Sequence, residues 1–268
     1  MTVKRFLSLI VSSVGDNSMR MKIYDDYLHG CLSYAIGDEV SGKSVLIDPL
    51  QEIGTERYLL DLQDMGLSLT WIIETHLHAD HISCAFEMSR LAGIPVIMGE
   101  SSPVRFSYVN SAELKELDIG RLNLRIIDTP GHTAESISVI LTDRTRSSDP
   151  LAVFSGDLLF AGDVGRSDLT LNPEDERIMS ANSFRSLRKL MELPDSVIIY
   201  PAHYGSSKCG GIFMSGSQFS TIGFERKNNR FLSFRTEEEF WKFQSRFRKV
   251  EPEGVRIIRE RNITGSSK

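Results

Sequence analysis

The sequence predicts an α/β fold in which stacked β-sheets are flanked by helices. Three observations predict it. Short β-branched or aromatic runs, ended by Gly, Pro or Asp, recur along the chain. Helical patterns long enough to cover a sheet lie between them. A knot of histidines, "ETHLHADHISC", follows directly on one strand-like run, and strand ends held by a rigid scaffold are where catalytic groups collect.

The elements follow in order. The first 20 residues read as a poorly ordered extension, and the domain starts near Met21 with a strand-like pattern. Its first 15 residues, "MTVKRFLSLIVSSVG", lack a small-residue cleavage site, so they do not read as a signal peptide; they resemble a mitochondrial leader only in lacking acids and containing serines. "CLSYAIGD" and "KSVLIDP" read as two strands joined by a polar turn at Glu39–Lys43. "TERYLLDLQDMG" has helical spacing and Gly66 as its stop. "LTWIIET" is a buried strand, "ISCAFEMSRLAG" a helix ending at Gly93, and "IPVIMG" a further strand. "RLNLRIIDTPGHT", "SISVILTD" and "LAVFSGD" are three more strands. "PEDERIMSANSFRSLRKLMEL" is an amphipathic helix with Pro173 near its start. "DSVIIYPAHYG" is a buried strand ending at a histidine, and "EEEFWKFQSRF" is a helix. One domain over 21–260 and a flexible tail over 261–268 complete the organisation.

The 268 residues, 41% hydrophobic, suffice for one large core. A net charge of −5 without a basic stripe argues against a nucleic-acid or membrane partner. No apolar run approaches the ~20 residues of a membrane span. Three scattered cysteines, Cys31, Cys84 and Cys209, form neither a disulfide framework nor a Cys-x-x-Cys zinc site, and point to a reducing, intracellular compartment.

Five of the six histidines lie at strand ends: His76, His78, His81, His132 and His203. Three imidazoles and the Asp80 carboxylate packed into six residues would cost desolvation or repulsion without a cation. Histidine and carboxylate together suit borderline divalent metals. In an extended segment His76 and His78 project to one side, and Asp80 and His81 turn toward a neighbouring position. With His132 of "TPGHT", Asp157 of "FSGD" and His203 of "YPAH", seven candidate ligands result.

The ordered series T-H-L-H-A-D-H, T-P-G-H-T, S-G-D and P-A-H resembles the metallo-β-lactamase superfamily over roughly residues 21–205. The resemblance implies a four-layer αββα sandwich with metal at one edge of the sheets. Within the superfamily, "THLHADHIS", "GDLLFAGDVGRSDL" and "STIGFERKNN" are similar to the persulfide dioxygenases. The loop "HYGSSKCGG" is similar to the subgroup often fused to rhodanese domains, although no second active-site cysteine loop is visible in this sequence.

That branch implies one Fe(II) on His76, His132 and Asp157, two histidines and a carboxylate as in non-haem iron oxygenases. It implies a low-molecular-weight thiol persulfide and O₂ as substrates, sulfite and thiol as products, and a homodimer. His78, Asp80, His81 and His203 would either support the iron through hydrogen bonds or bind a second metal. Arg166, Tyr204, Cys209 and Arg226 are candidate substrate contacts. For Arg166 a structural pair with Asp168 is the alternative, for Tyr204 packing, and for Cys209 an inert thiol. The localisation implied is cytoplasmic, or the mitochondrial matrix in a eukaryote. The competing reading is a dinuclear Zn²⁺ thioester hydrolase of the hydroxyacylglutathione hydrolase type, with which all seven ligands are compatible.

Overall fold

The computed structural model describes residues 19–169, 173–205, 207, 209–247 and 254–265. Most of the N-terminal extension therefore lies outside the described residues, as do the last three residues of the tail.

Among the described residues, twelve strands make two six-stranded sheets. The first holds β1 (Met19–Asp26), β2 (Cys31–Asp38), β3 (Lys43–Ile47), β4 (Ser68–Ile73), β5 (Val96–Met98) and β6 (Val109–Asn110), side by side in that order. The second holds β7 (Glu116–Ile119), β8 (Leu122–Asp128), β9 (Ile137–Asp143), β10 (Ala152–Gly156), β11 (Ile198–Pro201) and β12 (Ser220–Thr221). Strands β3 to β6 run parallel, with crossover helices α1 (Thr55–Asp64) and α2 (Ala85–Ala92). In the second sheet only β10 and β11 are parallel, and α3 (Pro173–Leu190) connects them. Helices α4 (Ile222–Asn228), α5 (Glu237–Gln244) and α6 (Val255–Thr264) follow. The turn at Glu39–Lys43 and the stop at Gly66, whose φ is 71°, match the sequence reading.

Side-chain alternation sorts the strands into layers. Leu32, Tyr34, Ile36, Val45, Ile47 and Ile73 of the first sheet meet Leu124, Ile126, Val139, Leu141 and Phe154 of the second in the central core. Their neighbours Ala35, Leu46 and Ile72 turn outward onto Tyr58 and Leu62 of α1 and Met88 of α2. On the opposite side Ile140, Val153 and Ile199 pack on Leu187 and Leu190 of α3 and Phe240 of α5. This is the αββα arrangement. Both faces of each central strand are covered, so those strands read as continuous apolar runs.

The sheets are joined at one end by backbone bonds. Ile137 N donates to the Thr75 carbonyl at 2.8 Å, and Leu32 N to the Ala202 carbonyl at 2.8 Å. The expected tail begins, at 261, inside α6. No described helix is long and apolar enough to cross a membrane.

Candidate metal centre

The joined end is where the histidines collect. His76 leaves β4, His132 follows β8, Asp157 follows β10 and His203 follows β11. All four are buried, with His203 fully so.

The backbone is shaped to bring them together. Gly131 sets the His132 turn against α3: a Cβ there would lie 2.6 Å from the Cα of Ser183. The small Ser183 and Ser186 allow that approach, and Ser186 Oγ donates to the Pro130 carbonyl at 2.8 Å. The loop after Asp157 is braced by the segment Ser220–Asn229. Glu225 accepts from the Gly162 amide at 3.0 Å, from Ser220 Oγ at 2.6 Å and from Asn229 Nδ2 at 2.9 Å. Thr221 caps α4 by accepting from Phe224 N. This segment, one of the three that carry the persulfide dioxygenase resemblance, thus holds the metal loop from behind.

Hydrogen bonds fix which nitrogen of each ring is bare. Thr75 Oγ1 donates to Asp48 Oδ2 at 2.8 Å, so it accepts from His76 Nδ1 at 3.0 Å. His76 Nε2 is left buried and without a partner. His132 Nδ1 donates to the Arg166 carbonyl at 2.8 Å, which leaves its Nε2 bare too. Asp157 Oδ2, likewise partnerless, lies 3.6 Å from the first bare nitrogen and 3.4 Å from the second. Donor atoms bound to one ion at about 2.1 Å lie roughly 3 to 4 Å apart. Burial, and the rings of His78 and His132, hold His76 well below the usual imidazole range, hence neutral and able to coordinate. Burial alone would raise the Asp157 carboxyl, but His203 above all outweighs it and holds it well below the usual range. The residues therefore fit a divalent metal held by two imidazoles and a carboxylate.

The remaining predicted ligands form two further groups. His203 sits between carboxylates, Nδ1 on Asp157 Oδ1 and Nε2 on Asp80 Oδ2, both at 2.6 Å. Burial works against its charge, but the two carboxylates raise it well above the usual range. Cys31, Asp80, His81 and His203 bring ligand atoms within 4.8 Å of one another. Asp80 Oδ1 and both ring nitrogens of His81 have no hydrogen-bond partner. His78 instead turns Nε2 to Asp48 at 3.2 Å and Glu74 at 3.1 Å, leaving Nδ1 partnerless.

The candidate substrate contacts separate. Cys209 is buried within the same 4.8 Å limit of Asp157 and His203. Burial pushes its thiol well up. The Arg166 guanidinium grips Asp168 with two bonds of 2.8 and 2.9 Å while its carbonyl orients His132. Tyr204 donates to Asp25. Arg226 lies on the outer helical layer, bonded to the Met191 and Leu193 carbonyls and paired with Asp195.

Sequence reasoning did not single out Asp48, Glu74, Glu135 or Cys31. Asp48 ends the "VLIDP" strand with φ of 51°, a left-handed conformation that Asp tolerates. Its carboxylate holds Thr75 and His78 together. Glu135 accepts from the Leu77 amide at 3.0 Å, inside the histidine cluster. A polar residue directly ending an apolar strand, beside a predicted site, was the available signal for Asp48.

The model of the metallo-β-lactamase superfamily matches residues 26–203, two thirds of the chain and every candidate ligand. The chain belongs to the metallo-β-lactamase superfamily. The mitochondrial persulfide dioxygenase ETHE1 of Mus musculus is 28% identical over 244 residues, which span 86% of this chain and 82% of that protein. The crystal structure of ETHE1 from Myxococcus xanthus superposes with a TM-score of 0.77 at 27% identity, covering 91% of this chain and 98% of that one. The hydroxyacylglutathione hydrolase of Prochlorococcus marinus (strain MIT 9211) is 27% identical over 235 residues, 77% of this chain and 87% of that protein.

Proposed function

We propose that this protein is a metal-dependent oxidoreductase, a persulfide dioxygenase with one Fe²⁺ held by His76, His132 and Asp157. The observation that carries the reading is the set of three bare donor atoms, two imidazole nitrogens and one carboxylate oxygen, within coordinating reach of one another. Such a triad leaves positions open on iron. Iron bound there supplies the redox chemistry by which the terminal sulfur of a thiol persulfide and O₂, with water, become sulfite and the free thiol.

The chain's own residues prepare that centre. Asp48 acts through Thr75 on His76, and the Arg166 carbonyl acts on His132, so that both rings present Nε2. His203 bonds both Asp80 and Asp157, and so braces the ligand carboxylate through Oδ1, away from the Oδ2 that faces the two imidazole donors. Among the candidate substrate contacts, Cys209 brings its sulfur within 4.8 Å of ligand atoms of Asp157 and His203. Its buried, protonated thiol can donate a weak hydrogen bond to an incoming sulfur. The relative named persulfide dioxygenase ETHE1 and the solved structure named ETHE1 support the same reading.

One observation favours a second reading. Asp80 Oδ1 and the two nitrogens of His81 are buried ligand atoms without hydrogen-bond partners, the nearest approach between them being 3.3 Å. A second ion there would give a dinuclear zinc thioester hydrolase, in line with the hydroxyacylglutathione hydrolase relative.

Anaerobic purification, metal analysis and O₂ uptake with glutathione persulfide separate the two. The dioxygenase reading expects about one iron per chain and O₂ consumption with sulfite release. Two zinc ions, no O₂ uptake and thioester cleavage would overturn it.

A further inference from the structure

Helix α6 buries only two side chains, Val255 and Asn262. Val255 belongs in a protein interior; a primary amide does so only when its hydrogen bonds are met. Those of Asn262 are met entirely by the histidine loop. Its Nδ2 donates to the carbonyls of His78 and His81, both at 2.9 Å. Its Oδ1 accepts from the Ser83 amide at 3.0 Å. One side chain thus holds three backbone groups of a six-residue stretch that carries His78, Asp80 and His81. The stretch lies about 180 residues away in sequence. Neither a strand nor a helix satisfies these groups, because the loop has irregular backbone.

The helix is seated for the task. The Ile263 carbonyl accepts from the Arg105 amide at 2.7 Å, and Gly265 closes the helix in a left-handed conformation against the Phe86 ring. Phe86 belongs to α2, which leaves the same loop. Helix α6 therefore touches the loop and the element that follows it.

We infer that Asn262 is a positioning residue for the metal centre, and that the docking of α6 and the binding of metal are one coupled equilibrium. The inference rests on the metal reading of the cluster, and not on which reaction follows. An amide that fixes the carbonyls of His78 and His81 restricts where those rings and Asp80 reach. In the one-iron reading those residues are not themselves ligands. The restraint reaches the centre through Asp80, which bonds His203, which in turn bonds the ligand Asp157, both at 2.6 Å. Loss of such supporting groups costs roughly 10- to 100-fold in metal affinity. Coupling is reciprocal: if docked α6 tightens metal binding, bound metal must tighten docking by the same factor.

The reciprocal effect is measurable on the unaltered protein. Amide hydrogen exchange is compared for the metal-free full chain and for the chain loaded with Fe²⁺ under anaerobic conditions or with Zn²⁺. Residues 255–264 and the Ser83 amide are expected to exchange at least tenfold more slowly once metal binds. In parallel, Fe²⁺ and Zn²⁺ affinities of Asn262→Ala and Asn262→Asp are determined by chelator competition. Ile257→Ala, an exposed change on the same helix, serves as control. Both Asn262 variants are expected to lose 10- to 100-fold, and the control to stay within twofold. Exchange in α6 that is indifferent to metal, or an Asn262→Ala protein that binds metal as the unaltered chain does, would overturn the inference. The exchange comparison decides the matter if neither variant folds. An unaltered chain that binds neither metal at this cluster would instead reject the metal reading itself, and the coupling with it.

Discussion

Replacement of Gly165 by Ala tests whether the loop of Gly165–Asp168 exists to hold the metal ligands in place. Gly165 has an ordinary backbone conformation, so strain is not the issue; space is. A Cβ added there would lie 1.7 Å from the carbonyl oxygen of Asp157 and 2.9 Å from its carbon, with the Cβ of His132 at 3.4 Å. Ordinary contact begins at 3.4 Å, so one of the two backbones must retreat by well over 1 Å. Both retreats damage the centre. One carries Asp157 away. The other carries off Arg166, whose carbonyl orients His132. A misplacement of about 1 Å at a catalytic group costs on the order of 100-fold in rate. Overpacking adds about 1 to 3 kcal/mol of destabilisation. We therefore expect kcat/KM of Gly165→Ala to fall by about two orders of magnitude in steady-state O₂ uptake, with a matching drop in bound metal. A folded variant with full metal content and a rate within twofold of the original would refute the reasoning.

Four further outcomes are expected. His76→Ala, His132→Ala and Asp157→Asn should each abolish stoichiometric metal binding, measured by metal analysis after gel filtration, whichever reaction the centre performs. Burial and His81 pull the His78 ring down, but Asp48 and Glu74 outweigh them and push it up to about 9. Its unfolded value is about 6.5, so the stability it contributes is complete below pH 6.5 and is lost as pH rises toward 9. The melting temperature of the metal-free protein should decline across that window, and Asp48→Asn should flatten the decline. Asp80 is held well below the usual range by His203 and His81 despite its burial, so its contribution is present above pH ~4 and is lost as pH falls below that; Asp80→Asn should blunt acid unfolding of the metal-free protein. Tyr204→Phe and Arg226→Ala remove bonds to Asp25 and to the end of α3, so each should cost about 1 kcal/mol, or roughly 2 to 4 °C in melting temperature. An altered KM with unchanged stability in either variant would return that residue to the substrate site.

Much of the architecture was legible because it is written in local patterns. Buried strands such as "KSVLI" and "LAVFSG" read as apolar runs, and α3 reads as an amphipathic helix. The five histidines and two aspartates that the fold groups together were legible because they sit in closely spaced motifs at strand ends, where three imidazoles and a carboxylate within six residues are costly without a cation. What was not legible depends on distance along the chain. Nothing around Asn262 announces that its amide meets carbonyls about 180 residues earlier. Arg166, Tyr204 and Arg226 looked alike as cations or hydroxyls near motifs. For Arg166 the fold decides in favour of the Asp168 pair that the sequence offers, and it reveals that Asp25 and the end of α3 occupy the other two. Cys31 and Cys209 stand far apart in sequence, yet both face the His203 group, because β2 pairs with the chain just after β11.

The origin of the three primary donors has a consequence for folding. His76 belongs to the first sheet; His132 and Asp157 belong to the second. On the proposed reading, an ion shared among them would be a brace between the two halves of the sandwich, complete only when both have formed and met. The native state alone assembles the brace, so free metal stabilises it by mass action, by about 2.7 kcal/mol at one hundred times the dissociation constant. A melting curve followed against free metal concentration thus reports the affinity of the centre without any turnover, and metal limitation weakens the seam between the sheets along with the chemistry.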